Sequence, residues 1–332
     1  MPSPAKAPSQ SSRKFAWLAG VVVALCLLWT AGWFFFAAKI ETHLPAVLAQ
    51  IAGPGADAEC AESDIRGYPF RFGLFCNTVA YTNTADGITA TAGAFRSAAQ
   101  FYRPGHAVAE IDGPLALTQS GLALRADWQL LKASVRAASD GIERGSMDAQ
   151  AISFDIDGPE LTQRLSLQAD RMTVHARRNE TDLDIAAYGE NLRNGIIAGL
   201  TAKAFTLEAT LPGRSRLLEF PFTPLTGPFD AQLHRMAIEF DESSALEITG
   251  PIQIDADGQI TGDLELTVRN LQKFSELAAR FNPESAELLD QVGPLVAALD
   301  MKPGDDAVTL PLTVRNNMVS LGMFPLGELP SF

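Results

Sequence analysis

The segment Ile152-Ser153-Phe154-Asp155-Ile156-Asp157 alternates apolar and polar residues without a break. A period of two puts Ile152, Phe154 and Ile156 on one face of a strand and Ser153, Asp155 and Asp157 on the other. The same pattern recurs outward in both directions. Leu165, Leu167 and Ala169 alternate, and the phase slips by one before Met172, Val174 and Ala176. A slip of that kind predicts a bulge or a break in the strand. Leu183, Ile185 and Ala187 continue the theme, as do Phe205 to Leu211, Met236 to Phe240, Leu246 with Ile248, and Ile252 with Ile254. Asp257-Gly258 marks a hairpin turn before the return strand Ile260 to Val268. Val308 to Val314 leads into Asn316-Asn317, and Val319 and Leu321 return. One apolar and one polar face per strand, with short turns between strands, predicts antiparallel meander sheet.

Helical spacing is rare. Leu271, Phe274, Leu277, Ala278 and Phe281 share one helical face, and Asn282-Pro283-Glu284 caps a second helix carrying Leu288, Leu289 and Val292. Arg214–Asp230, rich in Pro and Phe, reads as a long loop. The fold class is therefore mainly β with a few helices (α+β): an N-terminal transmembrane helix followed by an extended, curved antiparallel sheet packed on one or two helices.

The chain start differs in kind. Phe15 to Ala38 is uncharged, with Thr30 its one clearly polar member. At 1.5 Å per residue it spans roughly 36 Å, enough for a ~30 Å hydrocarbon core. It is too long, and too aromatic at its far end, for a cleaved signal peptide. Leu25 before Cys26 does not fit a lipoprotein site, so Cys26 reads as a small lipid-facing residue. Arg13 and Lys14 abut the run and place its N-terminal side in the cytoplasm. Ile40, Leu44, Val47, Leu48 and Ile51 extend the helix with an apolar stripe that Pro45 can kink and Gly53-Pro54-Gly55 ends. The expected organisation is a cytoplasmic disordered tail (1–14), a transmembrane helix (15–38), a helical extension and linker (39–55) and an extracytoplasmic β-rich domain (56–332). The expected location is the bacterial inner membrane, crossed once, with most of the chain in the periplasm.

The net charge is −13. Residues 1–38 contain Lys6, Arg13 and Lys14 and no acid, so every acidic residue lies beyond them. An acidic domain is repelled by phosphate backbones, so no nucleic-acid partner is expected, nor a broad electrostatic dock on anionic lipid.

Cys60 and Cys76 are the two cysteines outside the apolar run. An oxidising compartment favours a bridge between them over two buried free thiols. It would close a loop of about 17 residues, worth on the order of 3 kcal/mol. No catalytic, cofactor-binding or metal-ligating set is read. His43, His106, His175 and His234 stand at no ligand spacing, and nucleophile elbows, phosphate loops and dinucleotide fingerprints are missing. The pairs Asp155/Asp157, Asp182/Asp184 and Asp255/Asp257 fall on polar strand faces or in a turn. The expectation is a protein that is not an enzyme and takes no cofactor.

Two stretches resemble a known family. One is Asp64-Ile65-Arg66-Gly67-Tyr68-Pro69-Phe70-Arg71-Phe72, followed by Cys76. The other is the C-terminal sequence from Asp257-Gly258 through Leu310-Pro311-Leu312 to Phe324-Pro325-Leu326-Gly327-Glu328-Leu329-Pro330. Together they resemble family 2125 of the domains of unknown function, membrane-anchored envelope proteins of Gram-negative bacteria. The strand-rich middle is more distantly similar to AsmA-like and bridge-like lipid transfer proteins. The family implies no activity. Physically, Gly67 permits an unusual backbone angle and Pro69 sets the next turn, which would hold Tyr68 and Phe70 as packing anchors under the sheet. Two functions follow: a binder of lipid or another hydrophobic ligand in an open apolar trough beside the bilayer, or an envelope scaffold with a closed core and a protein partner.

Overall fold

In the computed structural model, residues 10–159, 164–194, 201–219, 225, 227–273, 276, 307–322 and 324–329 are described. The first element, α1, runs Gln10–Ala52. Polar Gln10 to Lys14, expected in a disordered tail, extend it, because a helix nucleated by the apolar run propagates at low cost. At 1.5 Å per residue α1 is ~65 Å long, about twice a hydrocarbon core. It is long and apolar enough to cross a membrane. Gly53, at φ +84°, closes its end by donating to Ala49 O at 3.1 Å. The expected stripe is narrower than its spacing suggested. Trp33, Ala37 and Leu44 are buried, while Ile40, Val47 and Ile51 stay exposed, since strands β1 (Ala56–Ala61) and β2 (Asp64–Arg66) pack along one side of this helix.

The strands continue as β3 (Arg71–Cys76), β4 (Thr78–Asn83), β5 (Ile88–Ala92), β6 (Phe95–Gln100), β7 (Arg103–Ile111), β8 (Leu115–Gln119), β9 (Leu122–Asp127) and β10 (Leu130–Ala137). Long unbroken strands follow: β11 (Ile142–Asp157), β12 (Leu165–Asn179), β13 (Asp182–Asn194), β14 (Thr201–Leu211), β15 (Phe229–Glu239), β16 (Ala245–Ile254), β17 (Ile260–Arg269) and β18 (Ala307–Arg315). The short β19 (Met318–Leu321) and β20 (Phe324–Glu328) come last.

Every pairing is antiparallel, and the order resolves into a simple meander. β3 pairs β6 while β4 pairs β5, and β6 pairs β7 while β5 pairs β8. Thus β1 with β2, β3 with β4, β5 with β6, β7 with β8 and β9 with β10 are each one long strand broken in the middle. From β11 to β20 each strand pairs the next. Among the described residues β20 does not pair β1 or β2, so the sheet is open at both ends.

The breaks line up across the sheet at Glu62-Ser63, Asn77, Gly93-Ala94, Asp112 to Pro114 and Trp128-Gln129. The line continues into the unbroken strands. Buried Ala149 is followed by buried Ile152, and Ala169 by half-buried Met172, each a spacing of three instead of two. Gly189 and Leu192 repeat this in β13, with Ala151 and Asn191 at φ near +50° on the line itself. The phase slip read before Met172 is therefore one point of a crease. The slip keeps apolar residues on one face as the strands bend. At Gly93 the strands approach so closely that a Cβ would lie 2.9 Å from Asp112 O.

On the apolar side of the crease Ala149, Ile152 and Ala169 form a small core with Trp128, Leu131, Phe154 and Met172. A larger core joins Ala209, Leu233, Ile254, Ile260, Leu264, Leu312 and Val314. A 3-10 turn at Ser215–Leu218, within the expected long loop, caps a third cluster around Leu183, Leu211 and Ala231. The turn at Asp257-Gly258 is part of a five-residue loop in which Asp255 Oδ1 accepts from the N–H groups of Asp257 and Gln259, both at 2.9 Å. Asn316 and Asn317, both at positive φ, form the two-residue turn between β18 and β19. The helix expected from Leu271 is seen at Leu271–Lys273 and Glu276; its other residues and the second helix lie outside the described residues.

Ile152→Ala should cost ~2–5 kcal/mol by removing the largest of the three buried side chains at the centre of the crease core. Ser153→Ala beside it should stay within ~0.5 kcal/mol. Denaturant unfolding of the two variants checks the pair.

Candidate functional site

Gly67-Tyr68-Pro69-Phe70 forms the turn between β2 and β3. Gly67 sits at φ +117°, and a Cβ there would lie 2.7 Å from Arg71 O. The turn is closed by Arg71 N–H donating to Gly67 O at 2.9 Å, and the Tyr68–Pro69 peptide is cis. Its aromatic side chains do not lie under the sheet. Tyr68 is 48% exposed and Phe70 62%. Both turn outward onto α1, because the turn ends the strand pair beside the helix.

The contact is specific in its polar as well as its apolar parts. Trp29 Nε1 donates to Pro69 O at 3.0 Å, and Trp33 Nε1 to Arg71 O at 3.0 Å. The Thr30 and Tyr68 hydroxyls are 2.7 Å apart. Trp33 stacks on Phe72 at 5.2 Å and meets Tyr68 edge-on at 5.5 Å. Phe101, in the neighbouring turn, meets Trp29 at 4.7 Å and donates its N–H to Phe70 O at 3.0 Å. Trp33 is thereby 4% exposed, buried by protein on a helix whose other aromatics are open. Thr30, the polar exception in the apolar run, has a partner in the domain.

Cys60 and Cys76 are bridged, with Cα atoms 5.2 Å apart. The bond ties β1, which packs on α1, to the end of β3, whose other end carries the aromatic turn. Both attachments of the helix are thus joined covalently.

From this junction the apolar face runs across the sheet. Opposed residues in one row are Phe72, Ala99, Ala107, Val135, Gly145, Ala176, Ile185, Ala209 and Leu233. A parallel row is Cys76, Phe95, Ile111, Leu131, Ala149, Met172, Gly189, Phe205 and Ile238. Through Leu246 and Val268 the second row reaches Val308 on β18. No charged side chain interrupts either row. Small residues (Ala99, Ala107, Gly145, Ala176) dominate the first row as far as β12, while larger ones fill the C-terminal core.

The opposite face carries the polar residues and a groove of about 650 Å³. His106, His175 and His234 all line it, although they belong to β7, β12 and β15. The row His106, Arg136, Arg144 and Arg177 sets four basic groups on adjacent strands. Arg136 pairs with Glu143 at 3.1 Å and Arg177 with Asp184 at 3.0 Å. Burial pushes the Asp184 carboxyl up, but the Thr210 hydroxyl and Arg177 outweigh it and leave it below the usual carboxylate range. Tyr188 donates to Glu208 at 2.6 Å, which with burial holds its phenol protonated above the ordinary range. His106 Nε2 lies 3.3 Å from Ser134 Oγ, but among the described residues no carboxylate bonds to that histidine. No group of three or more His, Cys, Asp or Glu among the described residues is placed to hold a metal ion. His43 sits apart, on α1. A second groove of about 640 Å³ adjoins, sharing Ser134, Ser146 and His175. Sequence spacing gave no sign of this histidine alignment, which depends on the register of strands far apart in the chain.

The profile of a family described as "Uncharacterized protein conserved in bacteria (DUF2125)" matches residues 33–330. No curated protein and no solved structure matches the chain.

Tyr68→Phe should cost ~1 kcal/mol by removing one hydrogen bond. Trp33→Ala should cost more, ~3–5 kcal/mol, and release the helix from the domain. Limited proteolysis near Gly53–Gly55 and thermal unfolding in detergent check both. Reduction, or the double change Cys60→Ser and Cys76→Ser, should lower stability by about 3 kcal/mol, read by unfolding with and without reductant.

Proposed function

The chain belongs to the DUF2125 family, and on that premise we propose that it is a non-catalytic, membrane-tethered sheet that holds a lipid or a similar amphiphile on its apolar face. The observation that carries this reading is the pair of unbroken apolar rows that begin at the Trp33–Phe72 stack and cross the open sheet. An acyl chain leaving a bilayer beside α1 meets apolar surface at once, with no charged side chain to cross. Burial of each CH₂ favours transfer by ~0.8 kcal/mol, so a chain laid along such a lane is held without a specific headgroup site. The alanines and glycine of the first row leave room for it.

Topology follows the charges. Arg13 and Lys14 keep the N-terminal side in the cytoplasm, and the Cys60–Cys76 bridge suits the oxidising side of a bacterial inner membrane. The sheet then stands in the periplasm.

A second reading, an envelope interaction module, is favoured by the C-terminal edge. Among the described residues β20 pairs on one side only, and Leu326 on it is 58% exposed. A partner strand could add to that edge.

Mass spectrometry of the full chain extracted in a mild detergent should find a co-purifying amphiphile. Val135→Asp, which places a charge in the first row, should remove that amphiphile while circular dichroism shows the sheet intact. A clean wild-type protein that instead crosslinks through β20 to another envelope protein would replace this reading with the second.

A further inference from the structure

We propose that the turns at Gly67–Phe70 and Phe101–Tyr102 form a second membrane contact, seated at the headgroup level of the bilayer that α1 crosses. The inference rests on the reading of α1 as a membrane anchor and adds to it a fixed depth and orientation for the sheet.

The depth comes from the helix. Arg13 and Lys14 mark one boundary of the hydrocarbon. A core of ~30 Å takes about 20 helical residues, so the opposite boundary falls near Phe34. At 1.5 Å per residue the hydrogen bonds from Trp33, Thr30 and Trp29 to residues 68–71 therefore run from that boundary to ~8 Å inside it. They hold the two turns at the same depth. The side chains there are of the kind an interface takes. Phe70 is 62% exposed and Tyr102 66%, and neither is covered by the rest of the protein. Tyrosine and tryptophan are favoured at headgroup level, where one end of the ring is dry and the other wet.

Charge agrees. Arg71 and Arg103 flank the two turns, are exposed, and make no ion pair among the described residues. In a domain of strongly acidic composition, two free guanidinium groups beside exposed aromatics match the phosphates of anionic lipid. The contact is local, which is compatible with the repulsion expected between the acidic domain and an anionic surface. Held in this way, the strands rise from the membrane, and the row starting at Phe72 opens toward the lipid.

The test uses the full chain with Cys26→Ser and the native disulfide intact, reconstituted in vesicles of phosphatidylcholine and phosphatidylglycerol. Single cysteines at Leu25, Phe70, Tyr102 and Asp86 carry an environment-sensitive dye. Asp86 lies in the turn at the far end of the β3–β4 strand, ~43 Å away along the chain direction. The expected result is blue-shifted emission at positions 70 and 102, quenched by lipid spin-labelled near the headgroup, with Asp86 unaffected. Arg71→Ala together with Arg103→Ala should weaken that quenching only when phosphatidylglycerol is present. If Leu25 is quenched while 70 and 102 behave like Asp86, the anchor stands and the second contact is overturned. Shielding at 70 and 102 that no lipid quencher reaches means a second copy covers the turns, and also overturns it. An unquenched Leu25 removes the anchor reading and this inference together.

Discussion

Each strand in this sheet must keep its apolar residues on one face along its whole length while the sheet bends across its middle. In a regular strand those demands conflict, because a bend made by breaking the ladder shifts the alternation by one residue. The chain meets both by shifting the sequence at the same place. Ala149 and Ile152, Ala169 and Met172, and Gly189 and Leu192 are spaced by three where the apolar pairs on either side of them are spaced by two. In the earlier strands the same line is crossed by short connectors such as Gly93-Ala94 and Trp128-Gln129. Without this matched slip the outer half of each strand would turn its apolar residues to solvent, and the crease core of Ala149, Ile152 and Ala169 would not form.

The helix is bound to this sheet by aromatic stacking and by three polar contacts that use side chains of an otherwise apolar run. Indole N–H groups donate to backbone carbonyls of a turn, so the polar ends of Trp29 and Trp33 are satisfied while their rings pack. The Cys60–Cys76 bridge holds the two strands involved at a fixed separation. The junction therefore behaves as one unit, and the sheet cannot swing freely about Gly53 and Gly55.

The two faces have different chemistry and different roles in stability. On the polar face ion pairs such as Arg96 with Asp112 and Arg193 with Asp170 are exposed, and each adds little. Their arrangement matters more for specificity of register, since opposed charges on neighbouring strands penalise a slipped pairing. The exception is the run of Arg136, Arg144 and Arg177, where like charges face one another and only part of the repulsion is relieved by Glu143 and Asp184.

Local pattern alone determined a great deal here. Period-two alternation exposes the strands, the slip before Met172 exposes the crease, Asn316-Asn317 exposes a turn, and the apolar run exposes the helix, because each depends on residues close together in the chain. The pairing of Cys60 with Cys76 was legible for another reason: they are the two cysteines outside the apolar run, on the side expected to be oxidising. What Gly67-Tyr68-Pro69-Phe70 packs against was not, since an aromatic turn can face a core or a helix equally well by its own pattern. Only the tertiary structure, by setting the β2–β3 turn beside Trp29 and Trp33, decided that it grips α1. The alignment of His106, His175 and His234 was likewise decided by cross-strand register, a sum of many pairings that no spacing along the chain encodes.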